Sequence, residues 1–156
     1  MSVTVLKDTH GKGLQALAHR LANDTRRVLV GVPKGPAEAD GTSIAMIAAV
    51  HEFGSPSQGI PERSFLRTGI RAALPHLTEV NANSLRGIAR GTLTVPVALG
   101  RVGALAVAAV QRQIVEGSYV PLRPATIRRK GSSKPLIDTG SLRQSITYQI
   151  VTGEAT

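Results

Sequence analysis

The stretch "VPVALGRVGALAVAAV", residues 95–110, decides the fold. Read as a membrane span, it makes the chain an anchored protein. Read as a buried helix, it gives the chain one long Ala/Val-rich core element. Pro96 and Arg101 interrupt the apolar run, and it falls short of the roughly 20 residues that cross a bilayer. It is therefore expected to be a core helix rather than a membrane anchor, running from Val97 to Glu116 and stopped by Gly117. Val102, Leu105 and Ala109, joined by Val110, fall on one face, with Ala98, Ala106 and Ala108 around it. Such small residues let a second helix come close.

Upstream, Val3 to Leu6 is short and β-branched, which suits a first strand. His10 to Gly13 reads as a turn. Leu14, Leu17, Ala18 and Leu21 then recur at helical spacing to about Asn23. Arg27 to Val32 reads as a buried strand ended by Pro33, followed by a Gly/Pro/Asp-rich loop. Thr42 or Ser43 can cap a helix through Ile44, Ile47, Ala48 and His51 to Phe53, with Gly54 as its stop. Ser64 can cap a third helix carrying Phe65, Leu66 and Ile70, which Pro75 kinks or ends. Leu77 to about Gly91 is helical again. Downstream lies a Pro-rich basic loop with a helical turn at Ala125 to Arg129. A strand, Ser145 to Val151, closes the chain. The expected fold is α+β: a small, largely antiparallel sheet packed with several helices, in one domain over residues 1–156. The basic loop spans 118–135 and the closing strand about 145–151.

Composition narrows the function. Aromatic residues are only 3%, namely Phe53, Phe65, Tyr119 and Tyr148. The core must therefore rest on Ala, Val, Leu and Ile, and association with other subunits would bury the apolar surface left over. The net charge of +9 suits acidic partners, nucleic acid or acidic protein surfaces; a soluble surface with spare Arg explains it equally well. There is no cysteine, hence no thiolate chemistry. Met1 to Leu6 lacks the pattern of a signal peptide, and no membrane partner is expected.

The segment "PLIDTGSL", residues 135–142, looks like the active-site turn of an aspartic protease. That chemistry needs two carboxylates sharing a proton, and in retroviral-type enzymes most of the fold follows the motif. Here only 16 residues follow Gly140, and the Gly-Arg motif that should come after it, at Ala98 to Arg101, comes before. Asp138, Thr139 and Gly140 are instead expected to be a structural turn: two side chains bonding nearby backbone N–H groups and a glycine in a conformation others avoid. Ser141 can cap a short turn, Leu142 to Gln144. The four histidines are scattered, and His51-Glu52 is half of a zinc-protease helix motif with Ser55 where the second His belongs. His51 reads as a helix-end cation. The Gly-Lys-Gly and Lys-Gly steps lack phosphate-loop spacing. No catalytic, metal or cofactor residues are expected.

The basic loop carries Arg123, Arg128, Arg129, Lys130 and Lys134 with no acid between Gly117 and Ile137. It can meet phosphate or an acidic protein, or stand solvated with no partner. With Tyr119 as its one aromatic, it is no base-stacking platform.

Two stretches together are similar to a known family. "IAAVHEFGSPSQGIPERSFLRTGI", residues 47–70, carries His-Glu-Phe-Gly, a loop, then Ile-Pro-x-Arg-x-Phe-Leu-Arg. "YVPLRPATIRRKGSSKPLIDTGSLRQSITYQI", residues 119–150, carries Pro-Leu-x-Pro-x-Thr-Ile and Leu-Ile-Asp-Thr-Gly-x-Leu-x-x-Ser-Ile. In this order they resemble tailed-phage morphogenesis proteins of the neck, the tail-completion or head–tail joining family. The motifs cover about a third of the chain. Ser64 departs from the family, which commonly has a second Pro there, and the Gly100–Gly103 region has no counterpart in the motifs.

The resemblance implies an α+β virion protein of the neck with no enzymatic activity. It would assemble with itself as a ring, commonly sixfold, between a head-closure or connector protein and the tail tube or terminator. Genomic DNA would pass through the ring. It implies location in the virion neck, after assembly in the host cytoplasm, and a structural role for the Asp138-Thr139-Gly140 turn. Within that reading, the loops 55–62 and 119–135 are contact loops, the first of them anchored to the core by Phe53 and Phe65. Arg63 and Arg67 pair across a subunit boundary, Arg128, Arg129 and Lys130 face an acidic connector or tail surface, and Arg123 is a further candidate contact of the basic loop. The alternatives are a tail terminator, a minor capsid component, or a basic DNA-binding packaging protein whose affinity falls steeply with salt.

Overall fold

The computed structural model describes residues 15, 17–19, 21–35 and 37–153. The expected first strand at Val3 to Leu6, the turn at His10 to Gly13 and Leu14 lie outside them. Of the first expected helix, the described residues from 17 to 22 are helical, and Asn23 N–H still reaches back to the His19 carbonyl at 3.1 Å.

The fold is α+β. Strand β1 (Arg27–Gly31) pairs antiparallel with strand β2 (Thr147–Val151), with Arg27 opposite Val151, Leu29 opposite Gln149 and Gly31 opposite Thr147. The β-branched and apolar residues of the two segments favour this extended pairing. Between them in sequence run helices α1 (Ile44–Phe53), α2 (Leu66–Ala89), α3 (Val95–Glu116), α4 (Pro124–Lys130) and the short α5 (Ser141–Ser145). The closing strand therefore starts two residues later than expected, because Leu142 to Ser145 complete a helical turn behind Gly140.

Helix α3 is the hub. It packs along α2 and against both strands. At 22 residues it is long and apolar enough to cross a bilayer by length and composition alone, longer than the expected run. Its buried stripe also differs from expectation: Ala98, Gly103, Ala106, Val110 and Ile114 are buried, whereas Val102, Leu105 and Ala109 are half-buried flanks. Close approach explains the shift. A Cβ on Gly69 of α2 would lie 3.0 Å from Val110 Cα and 3.3 Å from the Ala109 carbonyl, so the two backbones nearly touch there. On the other side the Tyr148 ring of β2 lies against Gly103, where a Cβ would come 2.4 Å from its Cδ2, so this glycine is buried where a bulkier residue would not fit.

Pro75 does not end its helix. Helix α2 runs 24 residues with Pro75 inside. The proline removes one N–H and crowds the carbonyl four residues back, but Pro75 and Arg71 both face solvent. Water can serve the freed carbonyl, while the opposite face stays packed on α3.

The main core joins Ile44 and Ala48 of α1, Phe65, Val110 and Ile114 of α3, Leu136, Leu142 and Ile146. Phe65 is its largest fully buried side chain, at 1% exposure. Phe53 is not an anchor: it is 66% exposed, with the Arg67 guanidinium 5.2 Å from its ring centre. Tyr119 ties the start of the basic loop to the end of α3, its hydroxyl donating to the Gln113 carbonyl at 2.7 Å.

Candidate functional site

Ile44, Ala48 and Glu52 recur every four residues on α1, so all three point to one face. Glu52 is 4% exposed, and a buried carboxylate must be paired. It caps α2. Its carboxylate accepts from Leu66 N–H at 2.8 Å and Arg67 N–H at 3.1 Å, and also from the Ser64 hydroxyl and Arg67 Nε, each at 2.8 Å. Burial pushes its pKa up, but these donors outweigh it and hold the carboxyl below its usual value. Ser64 thus supports the cap instead of forming it, correcting the expectation. The Ser43 side chain likewise makes no cap bond at the start of α1.

The clamp fixes the loop between α1 and α2. Arg63 N–H donates to the His51 carbonyl at 2.7 Å, and Ser55 and Ile60 exchange backbone bonds at 2.8 and 3.0 Å. Gly54 sits at φ 76°, and a Cβ there would lie 2.9 Å from Glu62 N. The basic loop then folds over this one: Arg63 Nε donates to the Val120 carbonyl at 3.1 Å, and Arg123 Nη2 to the Gly59 carbonyl at 3.3 Å. The two sequence stretches singled out above, far apart in the chain, build one unit.

Between them lies an open cleft of roughly 1280 Å³. Arg63, Arg123, Arg129, Lys130 and the Asp138-Thr139-Gly140 turn line it; Arg67 and Arg128 do not. Arg63 is 5% exposed and is not a contact on the outer surface; it lines the cleft. Arg67 spends its charge within the chain, on Glu52 at 2.8 Å and Glu62 at 2.7 Å. Pairing of Arg67 across a subunit boundary is therefore corrected, because intramolecular carboxylates occupy it. Arg123, Arg128 and Arg129 are exposed, and Lys130 is half-buried. Its ammonium donates to the Lys134 and Pro135 carbonyls at 2.8 and 3.4 Å.

The Asp-Thr-Gly segment is a turn with a partner sequence reasoning missed. Gly140 takes the left-handed conformation, φ 87°. Thr139 Oγ1 accepts from Ser141 N–H at 3.2 Å, and the Thr139 and Ser141 hydroxyls both donate to the Glu38 carboxylate at about 3.3 Å. Asp138 bonds no backbone N–H among the described residues, against expectation; it is exposed, and its charge raises the pKa of Lys130 against the larger lowering by burial.

His51 also differs from its reading as a helix-end cation. Burial, aided by the Arg63 and Lys130 charges, pulls its pKa from 6.5 to about 4. Its ring is neutral at pH 7, and its buried Nδ1 has no hydrogen-bond partner. The folded-state pKa lies below the unfolded one, so the unfolded chain takes up the proton first as pH falls. The associated stability is full above pH 6.5 and is lost toward pH 4, about 2 kcal/mol of it between pH 7 and pH 5. Urea unfolding at the two pH values checks this. Wild type should lose about 2 kcal/mol more than His51→Gln; equal losses would contradict it.

Among the described residues no group of three or more His, Cys, Asp or Glu is arranged to hold a metal ion. What the cleft presents is binding chemistry: guanidinium and ammonium donors, hydroxyls on a carboxylate, and apolar rims at Phe53 and Val120. No protein-family model, curated protein or solved structure matches this chain.

Proposed function

We propose that the chain is a structural subunit of a tailed-phage neck, joining a DNA-filled head to a tail as part of a ring and performing no chemistry. The interlock carries this reading. The two stretches that resemble head–tail joining proteins converge on one another through Arg63 and Arg123 and together line an open cleft. Motifs that fold into one unit are what a shared assembly surface requires. The exposed apolar side chains add support: Met46, Phe53, Leu74, Val97 and Val120 are each at least half exposed, which suits burial by other subunits. Arg128 and Arg129, exposed in the last turn of α4, can face an acidic connector or tail surface.

Disrupting the gene in the phage that carries it tests the role. Electron microscopy of the lysate should find DNA-filled heads and finished tails, unjoined. Tails of uncontrolled length would instead favour a terminator. Empty or missing heads would favour a capsid or packaging role.

A further inference from the structure

Arg63 presents a cation to the cleft without an anion of its own. A guanidinium carries five N–H donors, and only Nε is engaged, on the Val120 carbonyl. The residue is 5% exposed and lines the cleft. Its Nη atoms open onto solvent there, since His51 Nδ1 alone is a buried, unpartnered polar side-chain atom among the described residues. No carboxylate forms an ion pair with Arg63 among the described residues. A largely desolvated cation gains from an anion in reach, and burial lowers its pKa.

The surroundings sharpen that imbalance. Lys130 and His51 line the same cleft; the Arg63 charge disfavours protonation of both, and the Lys130 charge disfavours that of His51. The buried His51 Nδ1 is unpartnered. Most acids on the cleft wall are already committed. Glu38 accepts from Thr139 and Ser141, Glu62 pairs with Arg67, and Asp40 accepts from Thr42 N–H at 2.9 Å. Asp138 acts on Lys130, leaving Arg63 without an anion.

We propose that the cleft binds an oxyanion, a carboxylate or a phosphate group, on the free Nη donors of Arg63, flanked by the Lys130 ammonium and His51 Nδ1. The guanidinium fork matches two oxygens of either group. His51 in its Nδ1–H tautomer supplies a neutral donor, and Lys130 supplies a second charge. The site rests on the cleft's own geometry and holds whether or not the chain forms a neck ring.

Nuclear magnetic resonance titration of the isotope-labelled chain tests it, with sodium phosphate and sodium acetate in separate arms and chloride holding ionic strength constant. Saturable shifts of the Arg63 Nε–H and His51 ring signals, at millimolar anion, are expected in at least one arm. The tighter arm identifies the ligand as phosphate or carboxylate. Lys130→Gln, which leaves the buried arginine in place, should weaken binding about tenfold. Asp138→Asn, which removes the acid opposing the anion, should tighten it. Absence of saturable shifts in both arms by tens of millimolar overturns the proposal. So does binding that leaves Arg63 unmoved and is unchanged in Lys130→Gln.

Discussion

Glu52→Ala should destabilise the chain by about 3 kcal/mol, the largest effect expected of any single substitution away from the apolar core. One carboxylate accepts four hydrogen bonds, two from the first backbone N–H groups of α2 and two from Ser64 and Arg67. Truncation leaves the helix start uncapped in a place water barely reaches, and lost caps alone cost about 1 kcal/mol. It also releases the loop that carries Arg63 into the cleft. Arg67 recovers part of the loss, since its side chain is about half exposed and can rehydrate. Glu52→Gln keeps the shape and should cost less, about 1–2 kcal/mol. Chemical denaturation at pH 7 measures both; a loss below about 1 kcal/mol for the alanine variant would mean the clamp does not hold the two helices.

Gly103→Ala should cost about 2–3 kcal/mol, although alanine is the better helix former by about 1 kcal/mol. A Cβ at this position would lie 2.4 Å from Tyr148 Cδ2 and 2.5 Å from its Cγ. Those atoms are the root of the ring, so the clash moves strand β2 and not merely a side-chain tip. Gly100, one turn earlier, is the internal control. Its Cβ would meet only the Tyr148 hydroxyl, at 3.4 Å, so Gly100→Ala should be neutral or slightly stabilising. Combining Gly103→Ala with Tyr148→Val should cost less than the two singles added, because the second change removes what the first collides with. Equal thermal stability of the Gly100 and Gly103 variants would refute the close packing of α3 on β2.

That packing also marks the limit of what the sequence conveys. Segments whose signals are local are legible: α1 from Ile44 to Phe53, the turn of α4 and the left-handed Gly140. The strand from Arg27 is present, but it is half-buried with Leu29 49% exposed, not the buried strand expected. The stripe of α3 is not legible because helical periodicity favours the bulky residues Val102 and Leu105, whereas contact at touching distance with Tyr148 selects Gly103. Pro75 looked like a stop because a local rule cannot see which side of the helix is solvated. Local rules point to the adjacent Ser64 as the cap of α2, whereas it comes from Glu52, fourteen residues before Leu66. Its one sequence signal is an acid in step with Ile44 and Ala48, which by itself also fits half of a zinc motif. Arg63 and His51 read as surface groups for the same reason: the loop that Arg63 bonds at Val120, and that shares the cleft with His51, is distant in sequence.

The role in joining heads to tails is tested most directly by complementation in a lysate of unjoined heads and tails. The purified chain is added in graded amounts, and joined particles are counted and analysed for the chain. A structural subunit of the neck predicts that joining rises in proportion to added protein until the heads are saturated, with the chain retained in a fixed number of copies per joined particle. Joined particles lacking the chain, formed by far fewer molecules than there are particles, would contradict the account and make it a catalyst of assembly.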